Sequence, residues 1–280
     1  MTEPRYGQLG PVNPAASSGS GDSAPPARSR TGWRPSPVFL GIVAVAALSG
    51  WVLWSGNLSW GIGLGIAAFF FVTACWVITL CLHEFGHAIV AYRNGDLSVA
   101  HRGYLTLDPL RYTHMLFSIV LPLLFLVLGG IGLPGGAVFI DRRALRSRFA
   151  QSAVSAAGPL INLAIAIVLA VALALREANT PFWAAVAFLV FLQVTSAILN
   201  LLPVPGLDGY GIIEPYLPRA FAAQAARIAP FAVLGLFALL WIPAFNAAFF
   251  SGINGLVSLL GVPDGAVGAG YGLYQFWRQS

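Results

Sequence analysis

The sequence of 280 residues has little charge and no lysine at all. Only 9% of its residues are charged, whereas a soluble globular domain carries about a quarter. All fifteen basic residues are arginine, 58% of the chain is hydrophobic, and the mean hydropathy is +0.78. This composition excludes an ordinary cytosolic domain, a disordered regulator, a collagen-like fibre and a nucleic-acid-binding module.

Cysteine is also scarce. Cys75 and Cys81 lie in one apolar stretch, about 1.7 helical turns apart. Two such residues cannot form a disulfide framework and are typical of small buried hydrophobes. Cys81 does not share a helix face with His83, two residues later, so it is not expected to bind a metal beside that histidine.

Charge is absent from long stretches of the chain, each able to span a bilayer, which takes about 20 apolar residues. The first could hold two helices that break around residues 55–57, and the last holds one or two. We therefore expect an all-α polytopic membrane protein with about six transmembrane helices. The arginine-only, Ala-, Gly- and Pro-rich composition suggests a GC-rich bacterial genome, so the expected location is a bacterial plasma membrane. The uncharged stretches are residues 38–82, 115–140, 149–175, 178–207 and 228–263.

Composition divides the chain into three regions. Residues 1–37 are rich in Pro, Gly, Ser and Ala and contain several arginines, which predicts a disordered cytoplasmic tail. Residues 38–217 form the predicted membrane core, with a first helix over 38–55 and a catalytic part over 60–217. Residues 218–280 are expected to hold C-terminal transmembrane segments and a short tail.

The pattern HExxH occurs once, at the end of a long apolar segment. Residues i and i+4 of a helix share a face, so His83 and His87 can bind one metal ion, most typically zinc. Glu84 lies beside them and can take a proton from an attacking water. Two histidines and a glutamate at membrane depth are costly unless they are paired, metal-bound or wetted, which favours a functional site.

Zinc needs a third protein ligand, and Asp208 is a candidate. It follows Pro203 and Pro205, which break the preceding helix and free backbone groups that a protein-lined or wet cavity could satisfy. The spacing alone leaves a helix-end residue in the headgroup region and a metal ligand equally open. His101 and His114 are expected to be polar residues at the membrane interface.

The combination of HEFGH with a later NLLPVPGLDG resembles the site-2 protease family of intramembrane zinc metalloproteases. Its hallmarks are HExxH in one membrane helix and N-x-x-P-x-x-x-L-D-G in another, and the resemblance covers residues 60–217. It implies one Zn²⁺ per chain, bound by His83, His87 and Asp208. It further implies that Glu84 is the catalytic base and that Asn200 helps to position substrate or to stabilise the oxyanion.

A third segment, residues 155–162, is similar to the AGPxxN segment of that family. Gly158 lets helices approach closely and Pro159 would kink its helix, so both are expected to support the packing. Asn162 is expected to hydrogen-bond across to the helices of the active site.

The resemblance implies an intramembrane endopeptidase whose substrate is a membrane protein with a transmembrane segment. Regulated cleavage of a membrane-anchored factor is the expected role; the lipid bilayer is the other partner, and no nucleic acid is expected. The residues do not indicate an oligomeric state. Two other classes stay open: a zinc or other divalent-metal transporter, and a catalytically idle scaffold relative.

The arginines also set an expected topology, with the N-terminus and the active-site opening on the cytoplasmic side. For Asp208 to reach His83, residues 115–133 must enter and leave on the same side, as a re-entrant segment. Residues 97–107 alternate and residues 137–140 are rich in β-formers, which predicts short membrane-associated strands. Such strands could hold an unwound substrate.

Overall fold

The computed structural model describes residues 34–56, 61–112, 123–124, 126–127, 138–175 and 180–278. Within these residues the chain folds into α-helices joined by turns and short 3₁₀ segments. The helices are α1 (Pro37–Ser55), α2 (Ile62–Arg93), α3 (Ser98–His101), α4 (Arg148–Ala174), α5 (Pro181–Leu201), α6 (Asp208–Ile213), α7 (Arg219–Leu240), α8 (Pro243–Leu259) and α9 (Asp264–Tyr274).

Five of the described helices are long and apolar enough to cross a membrane: α1, α2, α4, α5 and α7. The prediction of a helical membrane protein is therefore confirmed, with five candidate spans where the sequence indicated about six. The predicted tail lies almost entirely outside the described residues. So does most of the predicted re-entrant segment, 115–133.

Local signals explain where the long helices begin. The hydroxyl of Ser36 accepts a hydrogen bond from the Phe39 amide at 3.1 Å, and Ser147 caps α4 through the Ala150 amide at 3.0 Å. Proline occupies the first position of α1 and of α5, where its missing N–H has no helical partner to lose.

Helices α2 and α5 form the centre of the bundle. In their most apolar windows 67% of α2 and 83% of α5 are buried, whereas the corresponding share of α1 is 22%. Trp76 of α2 and Phe188 of α5 lie in one buried cluster, to which α9 contributes the fully buried Tyr274. The two helices that carry or lead to the candidate site are thus the most enclosed.

The predicted short strands are wrong: the described residues contain no β-strand. Residues 98–101 form α3 and residues 104–106 a 3₁₀ turn, while residues 138–140 have no regular structure. Asp96 Oδ1 accepts from the Ser98 amide at 2.9 Å, which starts a helical turn. The turns bury Val99 and Tyr104 against the end of α2. The alternating apolar side chains are therefore covered by a helix and need no neighbouring strand.

The two described segments on either side of residues 113–137 meet beside the end of α2. The Asp141 amide donates to Asp96 Oδ2 at 2.8 Å, and the Arg146 amide donates to the Asn94 carbonyl at 3.2 Å. The chain therefore returns at residues 138–147 to the end of the bundle that it left after α2.

Candidate metal centre

Helix α2 presents two imidazoles from one face. His83 and His87 are one turn apart, and their Nε2 atoms lie 3.1 Å from each other. Both side chains are buried, with 3% and 5% of their surface exposed. The Nδ1 atom of His87 lies 2.7 Å from the Val154 carbonyl, so Nδ1–H donates there and the Nε2 lone pair is free for a ligand bond.

Asp208 reaches the same point from another part of the chain. After α5 ends, Pro203 and Pro205 prevent helix continuation, and Gly206 adopts φ +99° in the turn. The turn delivers Asp208 as the first residue of α6. Its Oδ2 atom lies 3.2 Å from His83 Nε2 and 3.4 Å from His87 Nε2.

These three donor atoms fit a tetrahedral zinc site. Ligand bonds of about 2.0–2.1 Å place neighbouring tetrahedral donors about 3.3–3.4 Å apart. The observed separations of 3.1, 3.2 and 3.4 Å match that edge length. The set of two imidazoles and one carboxylate leaves a fourth position, as catalytic zinc sites require.

Glu84 lies beside this set rather than within it. Its Oε1 atom is 4.0 Å from His83 Nε2, whereas Asp208 is within 3.4 Å of both histidines. Its Oε2 atom accepts a hydrogen bond of 3.1 Å from the Val138 amide. Glu84 is 2% exposed, so this hydrogen bond fixes the position of a buried carboxyl group next to the donors.

The charge of Asp208 depends on the facing imidazoles. Burial raises the pKa of its carboxyl group, but His87 and His83, which in their protonated form are positive and donate hydrogen bonds to it, outweigh burial. The net effect holds the pKa of Asp208 well below its usual range. Asp208 is therefore ionised, the form that binds a metal.

Gly158 of α4 lies directly against the two histidines. A Cβ atom at this position would overlap the Nε2 atoms of both His83 and His87. Gly86 of α2 has a similar constraint, since its Cβ would overlap the Ile161 side chain. Glycine at 86 and 158 thus lets α2 and α4 approach, and at 158 it keeps space free in front of the donors.

The remaining predicted site residues are buried around the centre. Pro159 lies inside α4, and Asn200 lies in the last turn of α5, ahead of the turn that delivers Asp208. Asn162 Nδ2 donates to Ser196 Oγ at 2.9 Å, across the α4–α5 interface. His101 is exposed, and His114 lies outside the described residues.

An ion pair links the loop near Glu84 to the segment that carries Asp208. Arg142 Nη1 lies 2.7 Å from Glu214 Oε2, just after α6. The Ser152 hydroxyl adds a hydrogen bond of 2.6 Å to the Ile212 carbonyl. Sequence reasoning missed these contacts and the Val138 amide, because no motif marks them.

Comparison with known proteins gives relatives over most of the chain. It is 44% identical over 246 residues to Rip2 of Mycobacterium tuberculosis, covering 87% of this chain and 95% of that protein. It is 44% identical over 249 residues to Rip2 of Mycolicibacterium smegmatis, with the same coverage. YwhC of Bacillus subtilis is 32% identical over 161 residues, 54% of this chain and 71% of that protein. Each relative is named "Putative zinc metalloprotease". No family model matches, and no solved structure matches.

Proposed function

The chain belongs to the site-2 protease family of zinc metalloproteases, and we propose that it is an intramembrane zinc endopeptidase. Its reaction is hydrolysis of peptide bonds within or near transmembrane segments of membrane proteins. One observation carries the proposal: His83, His87 and Asp208 bring three donor atoms within 3.4 Å of one another beside the buried carboxylate of Glu84. These groups lie inside a bundle of apolar helices.

His83, His87 and Asp208 would hold the zinc ion, which supplies a Lewis acid for the scissile carbonyl and for an attacking water. Glu84 takes a proton from that water through Oε1, because Oε2 is held by the Val138 amide. The water oxygen adds to the carbonyl carbon, the C–N bond breaks, and Glu84 returns the proton to the leaving nitrogen. Asn200, buried at the end of α5, is proposed to position the substrate or stabilise the oxyanion.

The position of the centre along α2 indicates the substrate class. Helix α2 has 32 residues, a length of about 48 Å, which exceeds the hydrocarbon thickness of about 30 Å. His83 lies ten residues before its end at Arg93, or about 15 Å. For an α2 that spans the hydrocarbon layer, the centre therefore lies between the bilayer midplane and the surface on the Arg93 side, where a transmembrane segment that unwinds locally can present a peptide bond.

The arginines support an opening on the cytoplasmic side. Arg93 ends α2, and Arg146 is held beside it by the hydrogen bond of its amide to the Asn94 carbonyl. Cytoplasmic ends of membrane helices carry an excess of arginine. We therefore place this end of the bundle, and the N-terminus before α1, in the cytoplasm.

The experiment compares purified wild-type protein with the Glu84→Gln variant in proteoliposomes. The probe is a panel of single-span transmembrane peptides labelled at both ends, with products identified by mass spectrometry. We expect wild-type protein to cut at least one peptide and Glu84→Gln to cut none while its zinc content stays at the wild-type level. Asp108→Asn, which likewise replaces a carboxylate by its amide but lies in a surface ion pair outside the centre, is the matched control and should retain cleavage. Normal cleavage by Glu84→Gln would refute the mechanism.

The same vesicles separate the other two classes. If the protein is a transporter, zinc should enter the vesicles at the same rate with wild-type protein and with Glu84→Gln. If it is a scaffold, the wild-type protein should cut none of the peptides. Either result would contradict an endopeptidase.

A further inference from the structure

A second buried polar group lies deeper in the bundle than the metal centre. Its members are Thr79 of α2, Asn162 of α4, and Gln193 and Ser196 of α5, all of which are less than a tenth exposed. Polar side chains at membrane depth are costly unless they are paired, so their clustering calls for an explanation.

Two hydrogen bonds connect these residues across three helices. Asn162 Nδ2 donates to Ser196 Oγ at 2.9 Å, and Gln193 Nε2 donates to Thr79 Oγ1 at 2.8 Å. Gln193 and Ser196 share a face of α5, since they are three residues apart. The group therefore joins α4 to α5 and α5 to α2.

Helices α2 and α4 connect this group to the metal centre. Thr79 lies one turn before His83 on α2, and Asn162 lies one turn after Gly158 on α4. Gly158 in turn lies against His83, because its Cβ would overlap the imidazole. Three contacts between helices and three steps of one turn along a helix thus connect six residues in a closed ring: His83, Thr79, Gln193, Ser196, Asn162 and Gly158.

Three buried polar atoms of this ring have no partner among the described residues. They are His83 Nδ1, Asn162 Oδ1 and Gln193 Oε1. Buried polar atoms in native proteins are nearly always hydrogen-bonded to protein or to ordered water. The two histidines differ here, since His87 Nδ1 already has the Val154 carbonyl at 2.7 Å.

We propose that an ordered water molecule occupies this ring and is the outer-shell partner of His83. When His83 binds zinc through Nε2, its Nδ1–H is a donor. A water can accept that hydrogen bond and donate its two protons to Asn162 Oδ1 and Gln193 Oε1. One donor and two acceptors are thus satisfied by a single molecule, within the usual range of two to four bonds for a buried water.

Asn162 and Gln193 are then positioning residues for the metal centre. Through the water they fix the orientation and the tautomer of the His83 imidazole, as the Val154 carbonyl does for His87. The proposal rests on the assignment of His83 as a zinc ligand in the proposed function.

The test measures how fast zinc leaves the purified holoprotein in excess chromophoric chelator. Asn162→Leu and Gln193→Leu each remove one water acceptor, and we expect each to speed zinc release about tenfold, the scale of outer-shell changes. Because both hold the same water, the double variant should release zinc at about the rate of either single variant. Ser196→Ala removes the interhelical hydrogen bond but no water acceptor, and should stay within about twofold of wild type.

Unchanged zinc release in the single variants would refute the proposed water. So would about hundredfold faster release in the double variant, because the two effects would then be independent. An effect of Ser196→Ala equal to that of Asn162→Leu would refute it as well. A high-resolution structure of the wild-type holoprotein provides a measurement that does not depend on variants folding. It should show density within about 3.2 Å of His83 Nδ1 and of both amide oxygens. A direct protein partner on Nδ1 would contradict the proposal. Retention of zinc by His83→Ala would instead refute the ligand assignment itself.

Discussion

The amide of Val138 donates a hydrogen bond of 3.1 Å to Oε2 of Glu84, 54 residues earlier in the chain. The loop that carries Val138 is tied to the end of α2 through Asp96 and to the segment after α6 through Glu214. One loop therefore contacts both Glu84 and the part of the chain that delivers Asp208. This arrangement makes the loop part of the candidate metal centre.

Removal of the Val138 amide hydrogen tests that role. In the Val138→Pro variant Glu84 loses a donor to its charged form, worth about 1.5–3 kcal/mol. We expect kcat for peptide cleavage to fall about 10- to 150-fold with zinc content unchanged. Val138→Ala is the matched control, because it changes the same residue but keeps the backbone N–H that donates to Glu84. Equal losses in both variants would contradict a specific role for Val138.

Gly158→Ala tests the space in front of the histidines. The added methyl group would overlap both Nε2 atoms. Overpacking of this kind costs about 1–3 kcal/mol, so the variant should bind less than about a tenth of the wild-type zinc. Zinc per chain, measured by elemental analysis, gives the result. Gly252→Ala, also inside a helix but with nothing within 4 Å of its Cβ, should bind zinc normally. Full zinc content in Gly158→Ala would show that the donors can move away.

Asp96 anchors the loop to α2. Its carboxylate is 1% exposed and accepts from the Ser98 amide and hydroxyl and from the Asp141 amide. Asp96→Ala removes the shared acceptor of three hydrogen bonds, worth about 0.5–1.5 kcal/mol each, and should lower the Tm in detergent by several degrees. Asp108→Ala, which removes a cap and a surface ion pair with Arg111, should change Tm much less. If Asp96→Ala has a Tm as high as that of Asp108→Ala, Asp96 does not anchor the loop to the end of α2.

The topology is tested by labelling with a membrane-impermeant maleimide. Cysteine replaces Arg102, Arg142 or Leu175, one at a time, in a chain whose Cys75 and Cys81 are alanine. We expect the first two to react from the same, cytoplasmic side, since the described segments that flank residues 113–137 meet beside α2. Leu175, at the far end of α4, should react from the opposite side. Labelling of positions 102 and 142 from opposite sides would contradict the re-entrant topology.

The sequence predicts the parts of this structure that depend on local pattern. Long uncharged runs indicate the membrane helices, and the i, i+4 spacing of His83 and His87 indicates a shared face. Asp208 was ambiguous from spacing alone, because its distance to α2 depends on how α5 packs against α2. Only the family resemblance indicated it as a ligand.

The failures have a common physical cause. Residues 97–107 alternate like a strand, but Asp96 starts a helical turn there, and tertiary packing against α2 decides the outcome. Gly158 was expected to serve packing alone, whereas the structure places it against the histidines. The contacts of Val138 and Gln193 join residues more than 50 positions apart, and no local pattern encodes them.

Zinc content of the purified protein tests the central claim most directly. Elemental analysis is made on the wild type, His83→Ala, Asp208→Ala and the exposed-histidine control His101→Ala. We predict about one zinc per chain in the wild type and in His101→Ala, and a loss of more than about 90% in His83→Ala and Asp208→Ala. Wild-type zinc content in Asp208→Ala would contradict the claim that the two distant motifs form one metal centre.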